Sequence, residues 1–190
     1  MKELYLIRHG RTEANEKHQY CGASDLPLSE NGAAALAAIR YDIPPCRFFT
    51  SGMLRTEQTL QLLFGDVPHE KDARFREISF GEFELHTYEE LKDRRDYQHW
   101  IRNDGLTAPP GGESTEAFQS RILEGLAALW KLEKPVVLIT HGGVIALIMD
   151  HLFPEEGKNR YQWQPEPGGG YRLTPGNYEK LEAKKRRQTQ

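Results

Sequence analysis

Arg8-His9-Gly10 and Thr140-His141-Gly142 each set an imidazole close after a short apolar run and directly before a glycine. A neutral imidazole can attack phosphorus as a nucleophile. A guanidinium matches phosphate oxygens with paired N–H donors. Arg8 supplies one, and Arg55, at the start of a segment with helical spacing, supplies another. The adjacent glycines let the backbone approach an anion, and helices that begin after such loops present N–H groups to it. Phosphate binding or phosphoryl transfer is the chemistry this set could perform. Transfer also needs an acid for the leaving oxygen, a task suited to a carboxyl group in a partly apolar loop.

Taken singly, each residue has an ordinary structural explanation. An Arg-His pair at a strand end is a common surface feature, and His141 after a buried strand could be a satisfied core histidine. Arg55 on a helix is usually solvated or ion-paired, and Glu77 in a charged loop is usually solvated. The seven histidines show no HxH or HExxH spacing, so no metal site is expected.

What would bring the set together is the order of elements. Leu4-Tyr5-Leu6-Ile7, Arg47-Phe48-Phe49 and Val136 to Thr140 read as buried strands. Ser29 caps a helix from Gly32 to Arg40, and a second helix carrying Arg55 ends near Gly65. Val67-Pro68-His69 suggests another short strand. Thr87 and Glu90 form a capping box for a helix reaching about Ile101. After the breaker Ala108-Pro109-Pro110-Gly111-Gly112, Ser114 caps a long amphipathic helix to about Leu132, and an apolar helix runs from Val144 to Leu152. A hairpin is expected from Arg160 to Gln164 and Tyr171 to Thr174. Strands alternating with helices predict an α/β fold with a mainly parallel sheet. The polar loops then share the edge at the strands' C-terminal ends, where open α/β sheets bind ligands. Residues 70 to 112 interrupt the alternation as a small helical cap insertion.

One domain fits the 190 residues. With 25 basic and 28 acidic residues, a formal net charge of −3 offers no footprint for nucleic acid. The basic run Lys184-Lys185-Arg186-Arg187 is expected to belong to a flexible, solvated tail over about 182–190. There is no membrane-length apolar run and no signal-peptide core, and Cys21 and Cys46 lack metal-ligand spacing. The expectation is a cytoplasmic protein with free thiols.

Six segments in order resemble the motifs of the histidine phosphatase (phosphoglycerate mutase-like) superfamily. Arg8-His9-Gly10-Arg11-Thr12-Glu13-Ala14-Asn15 is similar to RHGxTxxN, and Asp25-Leu26-Pro27-Leu28-Ser29 to the D-x-PLS segment. Ser51 to Thr59 resembles S-x-x-x-R-x-x-x-T. Phe75 to Glu84 resembles the L-x-E-x-x-F-G-x-W-E loop, Pro110 to Ser114 the P-x-GES turn, and Thr140 to Val144 the second histidine motif. The resemblance implies a three-layer α/β/α sandwich around a mixed, mostly parallel sheet. It implies that His9 is the nucleophile and Glu77 the acid for the leaving group, then the base for water. Arg8, Arg55 and His141 would bind the phosphoryl group, with Asn15 and the Gly142 N–H as lesser contacts. It also implies no metal and no cofactor. The sequence departs from the family at Phe83, where tryptophan is usual, and at Leu85, where glycine follows the glutamate.

The family's mutases are longer, so the compact chain is expected to be a phosphomonoester hydrolase. It most resembles the α-ribazole-5′-phosphate phosphatases, with a small-molecule phosphomonoester as its partner and neither nucleic acid nor membrane. A phosphoglycerate mutase or sugar-phosphate phosphatase is the alternative within the family, and a catalytically silent phosphate-binding module the alternative outside it. Tyr88, Trp100 and Phe83, in or beside the insertion, are candidates to cover an organic leaving group or simply to pack the cap.

Overall fold

Strands β1 (Leu4–Arg8) and β5 (Val136–Thr140) are apolar on both faces, as expected for strands covered by helices on either side. The computed structural model describes residues 3–103 and 105–186. In it, β1 and β5 pair in parallel, with Leu4 opposite Val136 and Arg8 opposite Thr140. β3 (Arg47–Thr50) pairs in parallel with the other edge of β5, and β4 (His69–Lys71) extends the sheet beyond β3. β6 (Gly170–Thr174) runs antiparallel to β1, and β7 (Asn177–Lys180) antiparallel to β6. The order is β4-β3-β5-β1-β6-β7, a mixed and mostly parallel sheet.

The period of two along the strands divides the core into two layers. Leu4, Leu6, Val136 and Leu138 face α6 (Thr115–Trp130) and α7 (Gly142–Leu152), against Ile122, Leu126, Ile145 and Ile148. Tyr5, Ile7, Val137 and Ile139 face Leu36 of α2 (Glu30–Ala37) and Leu60 and Leu63 of α3 (Leu54–Phe64). The result is the expected α/β/α sandwich. The short α1 (Glu13–Glu16) follows β1 and is closed by a capping box of Thr12 with Asn15. No helix of the described residues is long and apolar enough to cross a membrane.

Several expected elements differ in extent. α2 stops at Ala37, because Ile39–Arg40 forms a two-residue strand, β2, paired with β8 (Lys184–Lys185). β4 begins at His69 rather than Val67. The helix expected from Thr87 to Ile101 has its capping box but breaks into α4 (Tyr88–Leu91) and α5 (Arg95–Arg102). Lys92-Asp93-Arg94 offers no apolar side chain to bury there, and the extended Arg94 instead pairs with Glu82 and Asp96. Arg160–Trp163 is a helix, α8, capped by Asn159 and Gln162, and not half of a hairpin. The hairpin is β6–β7, turned at Pro175-Gly176. Within the supposed flexible tail, residues 184–186 are held. β8 pairs with β2, the Lys184 ammonium lies 2.6 Å from Asp42, and Arg186 donates to the Leu62 and Leu63 carbonyls. Arg187 and the residues after it lie outside the described residues.

Candidate active site

β1, β3 and β5 all end at one edge of the sheet, and their loops carry His9, Ser51 and His141 there. His9 is buried, and its ring centroid lies 5.1 Å from that of His141 in an edge-on arrangement. His9 Nδ1 sits 2.6 Å from the Gly10 carbonyl oxygen. A carbonyl only accepts, so Nδ1 carries the proton and Nε2 keeps its lone pair. Burial, reinforced by the charge of Arg55, holds the His9 pKa well below the ordinary imidazole value. The ring is therefore neutral at physiological pH, with one nucleophilic nitrogen.

His141 is fully buried and sits in a chain of hydrogen bonds with fixed direction. Arg55 Nε donates to His141 Nδ1 at 3.3 Å, which leaves the ring proton on Nε2, 2.8 Å from Ser51 Oγ. Ser51 Oγ is 3.1 Å from Thr56 Oγ1, and Thr56 donates on to the Met53 carbonyl at 2.7 Å. Burial and the Arg55 charge push the His141 pKa well down. Arg55 is itself fully buried, and its terminal nitrogens donate to the Ser24 and Gly22 carbonyls at 2.7 and 2.8 Å.

Arg8 donates through Nη1 to the Pro165 carbonyl at 2.8 Å, while its Nε is buried with no acceptor among the described residues. A buried donor left in this state is costly, and an anionic ligand would satisfy it. The Arg8 guanidinium lies directly against Gly142, at the start of α7.

Glu77 is held in place from three directions. The Thr140 hydroxyl donates to the Phe75 carbonyl at 2.8 Å, and Phe75 is buried against α6. Arg121 of α6 donates to the carbonyls of Arg74, Arg76 and Glu77 and pairs with Glu113. The Glu77 carboxylate accepts from the Gly143 N–H at 2.9 Å and from its neighbour Ile78 at 3.1 Å. Any side chain at 143 would overlap this carboxylate. Burial raises the Glu77 pKa, against the two backbone donors and the charges of Arg55 and Arg8. A buried carboxyl with a raised pKa is chemically suited to donate a proton.

An open cleft of about 520 Å³ leads away from Arg8. Asn15 lines it and spends its carbonyl oxygen on the Thr12 N–H and hydroxyl, which leaves its amide N–H₂ for a ligand. Of the three cap aromatics singled out in the sequence, only Tyr88 lines the cleft. Phe83 is buried in a cap cluster with Leu91 and Tyr97, and Trp100 packs against it. Tyr20 and Tyr161 also line the cleft and were missed. The capping pair Asn159 and Gln162 was the signal that Tyr161 sits on a helix.

The structure thus brings together His9, Arg8, Arg55, His141, Glu77 and Gly142, with Asn15 in the adjoining cleft. The model of the histidine phosphatase superfamily (branch 1) matches residues 4–184. The adenosylcobalamin/alpha-ribazole phosphatase of Salmonella typhimurium is 28% identical over 174 residues, covering 87% of this chain and 86% of that protein. The 2,3-bisphosphoglycerate-dependent phosphoglycerate mutase 2 of Gloeobacter violaceus is 31% identical, covering 82% and 79%. A crystal structure of phosphoglycerate mutase from Thermus thermophilus superposes with a TM-score of 0.76 at 33% identity, covering 95% of this chain and 98% of that one. The chain belongs to the histidine phosphatase superfamily. It is a phosphatase of that superfamily. Because a relative named as a mutase is covered almost end to end, compactness alone does not separate hydrolysis from mutation.

Proposed function

We propose that the chain hydrolyses small phosphomonoesters through a phosphohistidine on His9. The observation that carries this is the Nδ1–H of His9 held on the Gly10 carbonyl, which exposes Nε2 as the nucleophile. Nε2 attacks phosphorus, and the P–N bond forms as the bond to the leaving oxygen breaks. The proton on Glu77 goes to that oxygen. The Gly10 carbonyl stabilises the positive charge that the phosphorylated ring acquires. Glu77, now ionised, takes a proton from water as the water oxygen attacks phosphorus, and the P–N bond breaks to release inorganic phosphate. Arg8, Arg55, Asn15 and the Gly142 N–H bind the phosphoryl oxygens as preorganised donors. His141 lies beside them as a neutral ring. Acid-labile phosphate on His9 should be trapped during turnover. His9→Ala should stay folded and lose activity by at least about 1,000-fold. An active His9→Ala enzyme would sink the mechanism, and failure of the wild type to release phosphate from p-nitrophenyl phosphate would favour a silent binding module.

For the substrate, we infer a nucleoside-type monoester such as α-ribazole 5′-phosphate. Tyr88 and Tyr161, 55% and 77% exposed, stand in the cleft with Tyr20 and offer ring faces to a planar leaving group. The Salmonella relative's name supports the same choice. The test compares α-ribazole 5′-phosphate, nucleoside monophosphates, sugar phosphates and 3-phosphoglycerate by kcat/KM, with and without 2,3-bisphosphoglycerate. The aromatic monoesters should lead. Efficient interconversion of phosphoglycerates would overturn the hydrolase assignment, and a preference for sugar phosphates the α-ribazole one.

A further inference from the structure

Glu84 has no charged partner among the described residues, yet its carboxylate accepts from four backbone N–H groups. Gly22, Ala23 and Ser24 donate from one loop at 2.8–3.2 Å, and Phe80 donates from the loop that carries Glu77 at 2.9 Å. The carbonyls of that same 22–24 loop hold Arg55, Gly22 accepting from Nη2 and Ser24 from Nη1. In the peptide unit between Gly22 and Ala23, Glu84 holds the N–H and Arg55 the C=O, so that unit's dipole runs in line from anion to cation, while the Ser24 carbonyl on Arg55 follows directly after the last N–H that Glu84 holds. Gly22 also packs so closely on the Ile78 carbonyl that a side chain there would overlap it. The loop carrying Arg55's acceptors and the loop carrying Glu77 are clamped to each other, with the Glu84 carboxylate as the shared acceptor.

We propose that Glu84 is a positioning residue, which fixes the phosphate-binding Arg55 relative to the carboxyl of Glu77 through the 22–24 backbone. It touches neither substrate nor reacting atoms. The proposal rests on the roles given above to Arg55 and Glu77; the phosphatase reading is tested separately by the wild type and His9→Ala, and the role of Glu77 by Glu77→Gln. Glu84→Gln keeps the size of the side chain but turns an N–H₂ toward N–H groups that need an acceptor. Displacement of a catalytic group by about an ångström can cost on the order of 100-fold. The expected result for Glu84→Gln is a loss of about 100-fold in kcat on an alkyl phosphate, which needs both Arg55 and the Glu77 proton. On p-nitrophenyl phosphate, which needs little protonation, the loss should be about 10-fold. The limb of the pH profile set by Glu77 should shift. Glu84→Asp, which keeps the charge but shortens its reach, should recover part of the kcat. A merely structural role would lower the Tm but leave kcat, the ratio between the two substrates and the pH profile unmoved. A folded Glu84→Gln enzyme with those wild-type properties overturns the proposal. So does failure of both variants to fold, since that would make Glu84 a folding residue.

Discussion

At the scale of single residues, the site is organised around where protons are kept. The Gly10 carbonyl keeps one on His9 Nδ1, Arg55 excludes one from His141 Nδ1, and burial raises the Glu77 pKa, which favours its protonated form. The neutral nucleophile should persist below the ordinary imidazole range, because the folded His9 pKa is depressed. The protonated acid should persist above the ordinary carboxylate range, because the Glu77 pKa is raised. For alkyl phosphates, kcat/KM should therefore be bell-shaped, with an acid limb from His9 and a basic limb from Glu77. Glu77→Gln should slow alkyl phosphates far more than p-nitrophenyl phosphate. It should also raise stability at pH 8. A raised folded pKa gives stability that is complete below the unfolded value and is lost as pH rises through the folded one. Removing the buried carboxylate should thus lift the Tm at pH 8 and leave it unchanged near pH 4. For the two buried histidines the sign is opposite. Their folded pKa values are depressed, so stability is present above about 6.5 and falls as acid protonates the unfolded chain. His9→Ala, with one such ring fewer, should lose less Tm between pH 7 and pH 5. His9, Arg8, Arg55 and His141 were legible as residue types at strand and helix ends. Ser51 stood at the head of the S-x-x-x-R-x-x-x-T element without a role, and its contacts with His141 and Thr56 were not legible, because a hydroxyl's partners are fixed only when the backbone brings them together.

At the scale of elements, legibility followed burial. β5, buried throughout, was read with its exact residues, Val136 to Thr140, because a continuous apolar run after Pro135 admits few alternatives. Capped helices were read at their starts, since Ser29, Thr87 and Ser114 each hold the N–H three residues on. Helix ends and the C-terminal segment were read less well. Short polar stretches such as 92–94 and 159–163 are decided by long-range ion pairs and local caps that periodicity does not report. Leu85 is another such place. Its φ is +60°, in the region that favours glycine, at the position where the family carries one. The turn is held by the Leu85 N–H on the Tyr20 carbonyl at 2.7 Å. Leu85→Gly should raise stability by about 1 kcal/mol in denaturant unfolding by relieving the Cβ clash. If the variant is no more stable than the wild type, the side chain contributes as much through packing as its backbone costs.

At the scale of the molecule, the chain's last described residues close against the layer formed by α2 and α3. Arg186 donates to two carbonyls in the last turn of α3, the helix whose first turn carries Arg55. A chain ending at Ala183 should lose about 1 kcal/mol, or roughly 2–4 °C in Tm, with KM unchanged. An unchanged Tm would mean that the β2–β8 pair forms without consequence for α3. The central position of β5 has a consequence of a different kind. It lies between β1 and β3 with every residue buried, and Val136 to Ile139 are paired on both edges. The cap, by contrast, has its own small aromatic cluster, separate from the two layers of the sandwich. In deuterated water, amide protons of Val136–Thr140 should exchange only in molecules that have unfolded altogether, whereas those of α4 and α5 should exchange through local opening. His141 would then stand at the end of the slowest-exchanging strand and Tyr88 on the fastest-exchanging helices. Phosphate chemistry would be tied to the part of the molecule that opens least, and substrate choice to the part that opens most often.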